Sequence, residues 1–267
     1  MPSSSIKMVV TDMDGTLLNS NHQVSDRFFE LFSELNQKGI QFVAASGRQY
    51  GSMLSKLHSI QKDLIIIAEN GAYVRQQEDE LLLTPIGQEN IHKILDQTLP
   101  LSGANPVLCS KTNAYVQSDD THFINLLKEY YSGYELVPSA YEVTDEILKV
   151  AVHHFEDSEK HIYPAVEQFE PGMKVKVSGN HWVDISHPDA NKGYALDFVI
   201  RKMGIQREEL LIFGDYNNDL EMLEMAHYSY AMANAHPNVK KVANFGTLSN
   251  DEQGVEKVLE SLLAELS

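Results

Sequence analysis

Apolar and polar positions change period several times along this chain. Residues 7–12 form an almost continuous apolar run that ends in an acid, the pattern of a buried strand. Residues 25–38 then place Phe28, Phe29, Phe32 and Leu35 at the spacing of one inner helical side, and Gly39 closes that helix. Residues 40–46 predict a second strand and 50–58 a short helix. Residues 64–68 are too few for a helix and rich in β-branched side chains, so they predict a third strand. Strands linked by helical crossovers pair in parallel and carry helices on both faces, so the class predicted is α/β with a doubly wound parallel sheet.

The same rhythm returns near the carboxyl end, with a helix over 192–203, a strand over 210–214 and a helix near 219–225. A strand over 229–232 follows, then a helix opening near Pro237 and a last helix over 254–266. Between the two stretches the pattern differs. It predicts helices over 89–97, 121–131 and 158–169, two short strands over 107–110 and 114–117, a segment 135–138 of no assigned type, and a longer strand over 147–155. Paired strands over 173–178 and 181–186 join through Gly179-Asn180. Helices mixed with hairpins predict an α+β domain, residues 84–188, inserted into a core made of 1–83 and 189–267. No tandem repeat and no low-complexity linker interrupts this plan.

Composition narrows the picture. A chain of 267 residues with 43 % apolar content can bury two cores. No apolar run approaches the ~20 residues of a membrane helix, and residues 1–7 lack the apolar stretch of a secretory leader. One cysteine, Cys109, excludes an internal disulfide and fits a reducing compartment, so a cytoplasmic protein is expected. The net charge of −17 argues against nucleic acid or an anionic membrane as partner. A small anionic ligand then needs a local cation cluster or a bound metal.

Candidate chemistry sits at strand ends. Val9-Val10-Thr11-Asp12-Met13-Asp14-Gly15-Thr16 ends a buried strand in two carboxylates and a turn glycine. Ligands of open parallel sheets bind beyond the carboxyl ends of strands. Two acids this close repel unless a cation intervenes or one is protonated, and either state suits a pair in which one attacks and the other moves a proton. A solvated acidic turn would read the same way. A calcium loop would not, because the sixth position from Asp12 is Leu17 and the twelfth Gln23. Ala45-Ser46-Gly47-Arg48 ends the second strand with a hydroxyl that would bind a phosphoryl oxygen or cap a helix. Gly214-Asp215-Tyr216-Asn217-Asn218-Asp219 offers oxygens suited to magnesium, although Asp219 would also serve as a cap. Lys192 opens a helix, where the dipole disfavours a cation, so a counter-ion role is the better reading.

The four motifs in this order resemble the haloacid dehalogenase superfamily. Thr11–Thr16, Ala45–Gly47, Ala68-Glu69-Asn70-Gly71-Ala72 and Gly214–Asp219 are most similar to its Cof-type phosphatases, especially the sugar-phosphatase members. The resemblance implies an Mg²⁺-dependent phosphatase of small phosphorylated metabolites. Asp12 would be the nucleophile and a metal ligand. Asp14 would be the general acid/base, its backbone carbonyl also binding the metal, and Asp215 would complete the protein ligands. Ser46 and Lys192 would hold phosphoryl oxygens with backbone N–H groups near Met13 and Gly47. Asn218 would lie near the phosphate and Asp219 would support the metal shell or Lys192. The insertion after the third strand implies an α/β cap of the C2B type that selects substrate, with Arg48, Asn70 and Asp184 as further contacts. Two alternatives stay open: a phosphohexomutase of the same superfamily, and a non-catalytic sensor of a phosphometabolite.

Overall fold

Met8–Asp12 is buried at all five positions and forms the middle of an eight-stranded sheet. The structure is a computed structural model that describes residues 6–131, 133–170 and 172–266. The amino-terminal residues 1–5, part of the segment read as carrying no leader, lie outside the described residues. Among those described, no helix is long and apolar enough to cross a membrane. The chain divides into two units, with boundaries at Leu82/Leu83 and Ala190/Asn191.

In the first unit the sheet order is Phe245–Gly246, Tyr228–Ala231, Leu210–Gly214, Met8–Asp12, Gln41–Ala45, Leu64–Ala68, Tyr73–Gln76 and Asp79–Leu83. The first six strands in this order pair in parallel. The chain runs outward from Met8–Asp12 in one direction through Gln41–Ala45 and in the other through Leu210–Gly214, so the order reverses at this strand. Such a switch point leaves a crevice at the carboxyl end of the central strand. Helix Asp26–Gln37 buries Phe28, Leu31, Phe32 and Leu35, and Phe28 and Phe32 pack on Phe42 of the neighbouring strand. Leu31 takes the inner place expected of Phe29. Phe29 lies one residue, about 100° of helical turn, from Phe28 and is only half-buried. Ser25 caps this helix by accepting from the Phe28 N–H at 3.0 Å.

The hairpin strands Tyr73–Gln76 and Asp79–Leu83 have no counterpart in the sequence reading. They close one edge of the sheet, with Tyr73–Gln76 antiparallel to Leu64–Ala68. Their polar run from Arg75 to Glu80 hides the period-two pattern, because an edge strand buries little on either face.

The second unit holds a six-stranded sheet in the order Lys174–Gly179, Trp182–Ser186, Ile147–His153, Asn105–Ser110, Ala114–Val116, Glu135–Leu136. Alternate residues feed two cores: Leu108, Val150, Val152, Val183 and Ile185 join one, and Val107, Cys109, Val116 and Ala151 the other. The helix expected over 158–169 is broken into Ser158–His161, Tyr163–Val166 and a tighter turn, Glu167–Phe169. Pro164 explains the break, since it has no N–H to donate and its ring clashes with the carbonyl four residues earlier. The hairpin turns at Asn180-His181 and not through Gly179-Asn180. Gly179 still pairs with Trp182, and a register shift between Val177 and Gly179 absorbs the difference.

His153 is buried among Phe123, Phe155 and Trp182, with ring centroids at 5.4, 4.7 and 4.8 Å. Burial, followed by His181, His154 and His122, pushes its imidazole down to about 4. Its folded value lies below the ordinary one. The stability it contributes is therefore present above about pH 6.5 and is lost as pH falls towards 4, by up to about 3 kcal/mol. Trp182 is the only tryptophan in the chain, so its fluorescence reports on this neighbourhood. On acidification its signal should change between pH 6.5 and 4, and His153→Phe should move that transition to lower pH. An unmoved transition would mean that another group drives acid unfolding.

Candidate active site

Asp12 is the last residue of the central strand, opposite Ala45, so the strand delivers its carboxylate to the switch-point crevice. Oδ1 accepts from Lys192 Nζ at 2.6 Å. Oδ2 is buried and, among the described residues, meets no hydrogen-bond donor. Lys192 begins helix Lys192–Met203, which Asn191 caps by accepting from the Tyr194 N–H at 2.7 Å. The lysine is fully buried and also donates to Asp219 Oδ1 at 2.6 Å. Burial lowers its basicity, but Asp12 and Asp219 overcome this and hold it well above its ordinary value, so it is a cation. The two carboxylates thus offset the unfavourable position of a lysine at a helix start.

Asp219 is oriented from both sides. Its Oδ2 accepts from the backbone N–H of Asp215 at 2.9 Å and of Tyr216 at 3.1 Å. Gly214 is required here, because a Cβ on it would lie 2.7 Å from that of Asp219. Asp215 projects beside Asp12, accepting from Thr16 Oγ1 at 3.2 Å. Gly15 has φ +81°, and a Cβ on it would fall 2.3 Å from Asp215 Oδ2, so the Asp-Gly-Thr turn tolerates no side chain at its centre. Carboxylate oxygens of Asp12, Asp215 and Asp219 lie within 4.8 Å of one another. Burial and then Asp219 push Asp215 up to about 6, against Thr16 and Lys192. Burial, joined by Asp219 and Asp215 and opposed by Lys192, raises Asp12 well above the ordinary carboxylate value. A divalent cation would relieve both, and the donor set of hard oxygens with one orphaned atom fits Mg²⁺.

The remaining expected residues form two smaller groups. Ser46 is buried, and its Oγ accepts from the Arg48 N–H at 3.1 Å. It caps no helix: the next one, Tyr50–Leu57, follows Gln49 and has no side-chain cap. Asn70, left-handed at φ +54°, donates its N–H to the Ser46 carbonyl at 2.9 Å and accepts from Asn218 Nδ2 at 3.0 Å. Its amide stands where a Cβ on Gly47 would meet it at 3.0 Å, so Gly47 packs directly under Asn70. Met13 is buried, and its carbonyl accepts from the Leu18 N–H at 2.8 Å.

Asp14 is turned to a different partner. Its carboxylate takes a two-point contact from Arg48, expected at the substrate, and His22 stands at 3.6 Å. Burial raises this carboxyl, but the Arg48 hydrogen bond and charge outweigh burial and hold it below the ordinary value. Thr16 and His22 are the site neighbours that sequence reasoning passed over. Thr16 lay inside the first motif; His22 lies in a loop with no periodic or spacing signal.

Paired acids at the switch point of an open sheet, backed by a buried lysine and a second acidic strand end, define an enzyme whose chemistry is done by carboxylates. The profile described as haloacid dehalogenase-like hydrolase matches residues 9–259, and the chain belongs to that family. It is 28 % identical over 262 residues to the 5-amino-6-(5-phospho-D-ribitylamino)uracil phosphatase of Escherichia coli K12, covering 97 % of each chain. A solved protein of Streptococcus mutans UA159 is similar at 31 % identity and a TM-score of 0.85, over 97 % of this chain and 100 % of that one. A solved subclass IIB sugar phosphatase shares the fold at 22 % identity and a TM-score of 0.77, over 96 % and 98 %.

Proposed function

We propose that this phosphoric monoester hydrolase acts on phosphate esters of sugars and related polyols, through an aspartyl-phosphate on Asp12. The observation that carries the reading is the Asp12 carboxylate, with one oxygen held by Lys192 and the other buried without a donor among the described residues. A purely structural acid would have both oxygens satisfied. In the first step an Asp12 oxygen bonds to phosphorus while the ester P–O bond breaks, and the minor fraction of Asp14 that is protonated against the pull of Arg48 gives its proton to the departing alkoxide. Water then attacks phosphorus, its proton passes to Asp14, and Asp12 is regained as phosphate leaves. Lys192 and the Ser46 hydroxyl hold phosphoryl oxygens, with backbone N–H groups near Met13 and Gly47 and the Asn218 amide beside them.

Asp12, Asp215 and the Asp14 backbone carbonyl would hold Mg²⁺, with Asp219 behind them. Bound there, the ion supplies charge neutralisation for carboxylate and phosphoryl oxygens. The unit of residues 83–190 supplies substrate selection in this reading, as a cap inserted into the catalytic unit. The E. coli relative acts on the phosphate of a ribityl chain, which favours a primary polyol phosphate over an aryl one. A cytoplasmic setting goes with a single cysteine in the chain, the buried Cys109.

Screening the purified protein against phosphorylated metabolites tests the reading. Release of inorganic phosphate is expected. Isomer formation without release would indicate a mutase, and binding without either a sensor. Chelation should abolish turnover and Mg²⁺ should restore it. Ca²⁺ should restore it poorly, because its larger, looser shell misplaces the attacking carboxylate. Full activity after exhaustive chelation would remove the metal from the site.

A further inference from the structure

Arg48 stands two residues beyond Ser46, where a substrate contact is expected, yet its guanidinium is turned to Asp14 and Ser52. Nε donates to Asp14 Oδ2 at 2.6 Å and Nη2 to Asp14 Oδ1 at 2.5 Å. Nη1 donates to Ser52 Oγ at 3.3 Å, on helix Tyr50–Leu57. His22 Nδ1 lies 3.5 Å from Nη2 on the outer side. The Arg48 backbone is fixed as well, by its N–H on Ser46 Oγ at 3.1 Å and by its carbonyl, which accepts from the Glu69 N–H at 3.0 Å. Among the described residues no other side chain donates a hydrogen bond to the Asp14 carboxylate. Asp14 itself is 42 % exposed, on a turn beyond the strand end, and would otherwise sample several rotamers. A guanidinium fork fixes the plane of a carboxylate, which a point charge cannot do.

We infer that Arg48 is a positioning residue: it holds the Asp14 carboxylate where Asp14 can take the proton of the water attacking the phosphoenzyme, and it does not touch substrate. The inference rests on the phosphatase reading above. A carboxylate has about four lone-pair sites, so the fork leaves one on each oxygen for the water. Ser52 and the Ser46 turn hold the guanidinium in place, so the second strand end, already next to the phosphoryl site, also sets the base.

The test is a double-mutant cycle with nitrophenyl phosphate. Arg48→Met removes fork and charge but keeps much of the apolar stem; Arg48→Lys keeps the charge alone. Misplacing a catalytic group by about 1 Å costs about 100-fold, so Arg48→Met should lower kcat about 10- to 100-fold. KM should fall in step with kcat, leaving kcat/KM within about threefold, and a nitrophenolate burst near one per active site should precede the slow phase, placing the loss in the water step. The Arg48→Met/Asp14→Asn double variant should be no slower than Asp14→Asn alone, because Arg48 acts through Asp14. Losses that multiply, or a rise in KM at unchanged kcat, would instead put Arg48 on the substrate. Full activity in Arg48→Lys would show that charge suffices without the fork. Thermal unfolding checks each variant, and if Arg48→Met does not fold, Arg48→Lys carries the same cycle. Wild-type protein with no turnover and no label on Asp12 would overturn the phosphatase reading itself, whereas multiplicative losses in an active enzyme overturn only the role given to Arg48.

Discussion

Asp12→Asn should abolish turnover and leave no phosphoenzyme, whereas Asp14→Asn should form one and stall on it. The two side chains are two residues apart but face different environments. Asp12 is 5 % exposed and bonded to a buried cation, while Asp14 lies half-exposed under an arginine fork. An amide at position 12 has no anionic oxygen to attack with, so nothing downstream can begin. An amide at position 14 keeps the shape and the backbone but moves no protons. A sugar alkoxide is a poor leaving group, so Asp14→Asn should barely react with a sugar phosphate. Nitrophenolate departs without a proton, so nitrophenyl phosphate should still load Asp12. Hydrolysis then lacks its base, a loss of about 10²–10⁴ in rate. Rapid mixing of Asp14→Asn with this substrate should give a burst near one nitrophenolate per site. Mass measurement should then find one phosphoryl group on a peptide containing Asp12. Steady wild-type rates, or a label on serine or histidine, would sink the assignment.

Lys192→Met should damage both activity and stability, and the two losses should separate. The lysine is fully buried and bonds two carboxylates at 2.6 Å each. Removing it leaves Asp12 and Asp219 buried without their counter-charge, which costs about 3–5 kcal/mol where a buried pair is broken from one side. Denaturant unfolding in the presence of chelator should show this loss. Adding Mg²⁺ should recover part of it, since an ion held by the clustered acids would favour the folded state. Pairing the change with Asp219→Asn should restore stability further, because one uncompensated charge is then gone. Activity should return in neither case. The phosphoryl group would still lack a preplaced cation, a deficit of at least about 100- to 1,000-fold by comparison with the loss of a single preorganised donor. Lys192→Arg should not rescue it, because a fully enclosed site shaped for an ammonium has no room for a planar fork. Near-wild-type turnover in Lys192→Met would place the phosphate elsewhere.

The core strands and most helices were legible in the sequence because their signals are local. Met8–Asp12 and Leu64–Ala68 are buried throughout and read as unbroken apolar runs, and the helix Asp26–Gln37 carries its own cap and inner stripe. The acids at strand ends were legible for the same reason: a turn glycine and a polar cluster directly follow each apolar run. Phe29, the Pro164 break and the polar edge hairpin were misread or missed where one residue, or an edge position, outweighed the average of its window.

Which carboxylate meets which cation was decided only by the tertiary structure. Lys192 and Asp12 are 180 positions apart, Thr16 and Asp215 are 199 apart, and Arg48 reaches Asp14 across 34. No periodicity carries such pairings, because they follow from strand register and from the loops that pack above it. The sequence by itself determined that carboxylates, a hydroxyl and a lysine would stand at the ends of parallel strands and at a helix start. The tertiary structure decided that Arg48 is turned to Asp14, that Asn70 steadies Asn218, and that one oxygen of Asp12 is left without a donor among the described residues. The physical reason is range: propensity, capping and turn chemistry act over a few residues. A hydrogen bond of 2.6 Å between distant side chains exists only once the whole sheet has set their positions.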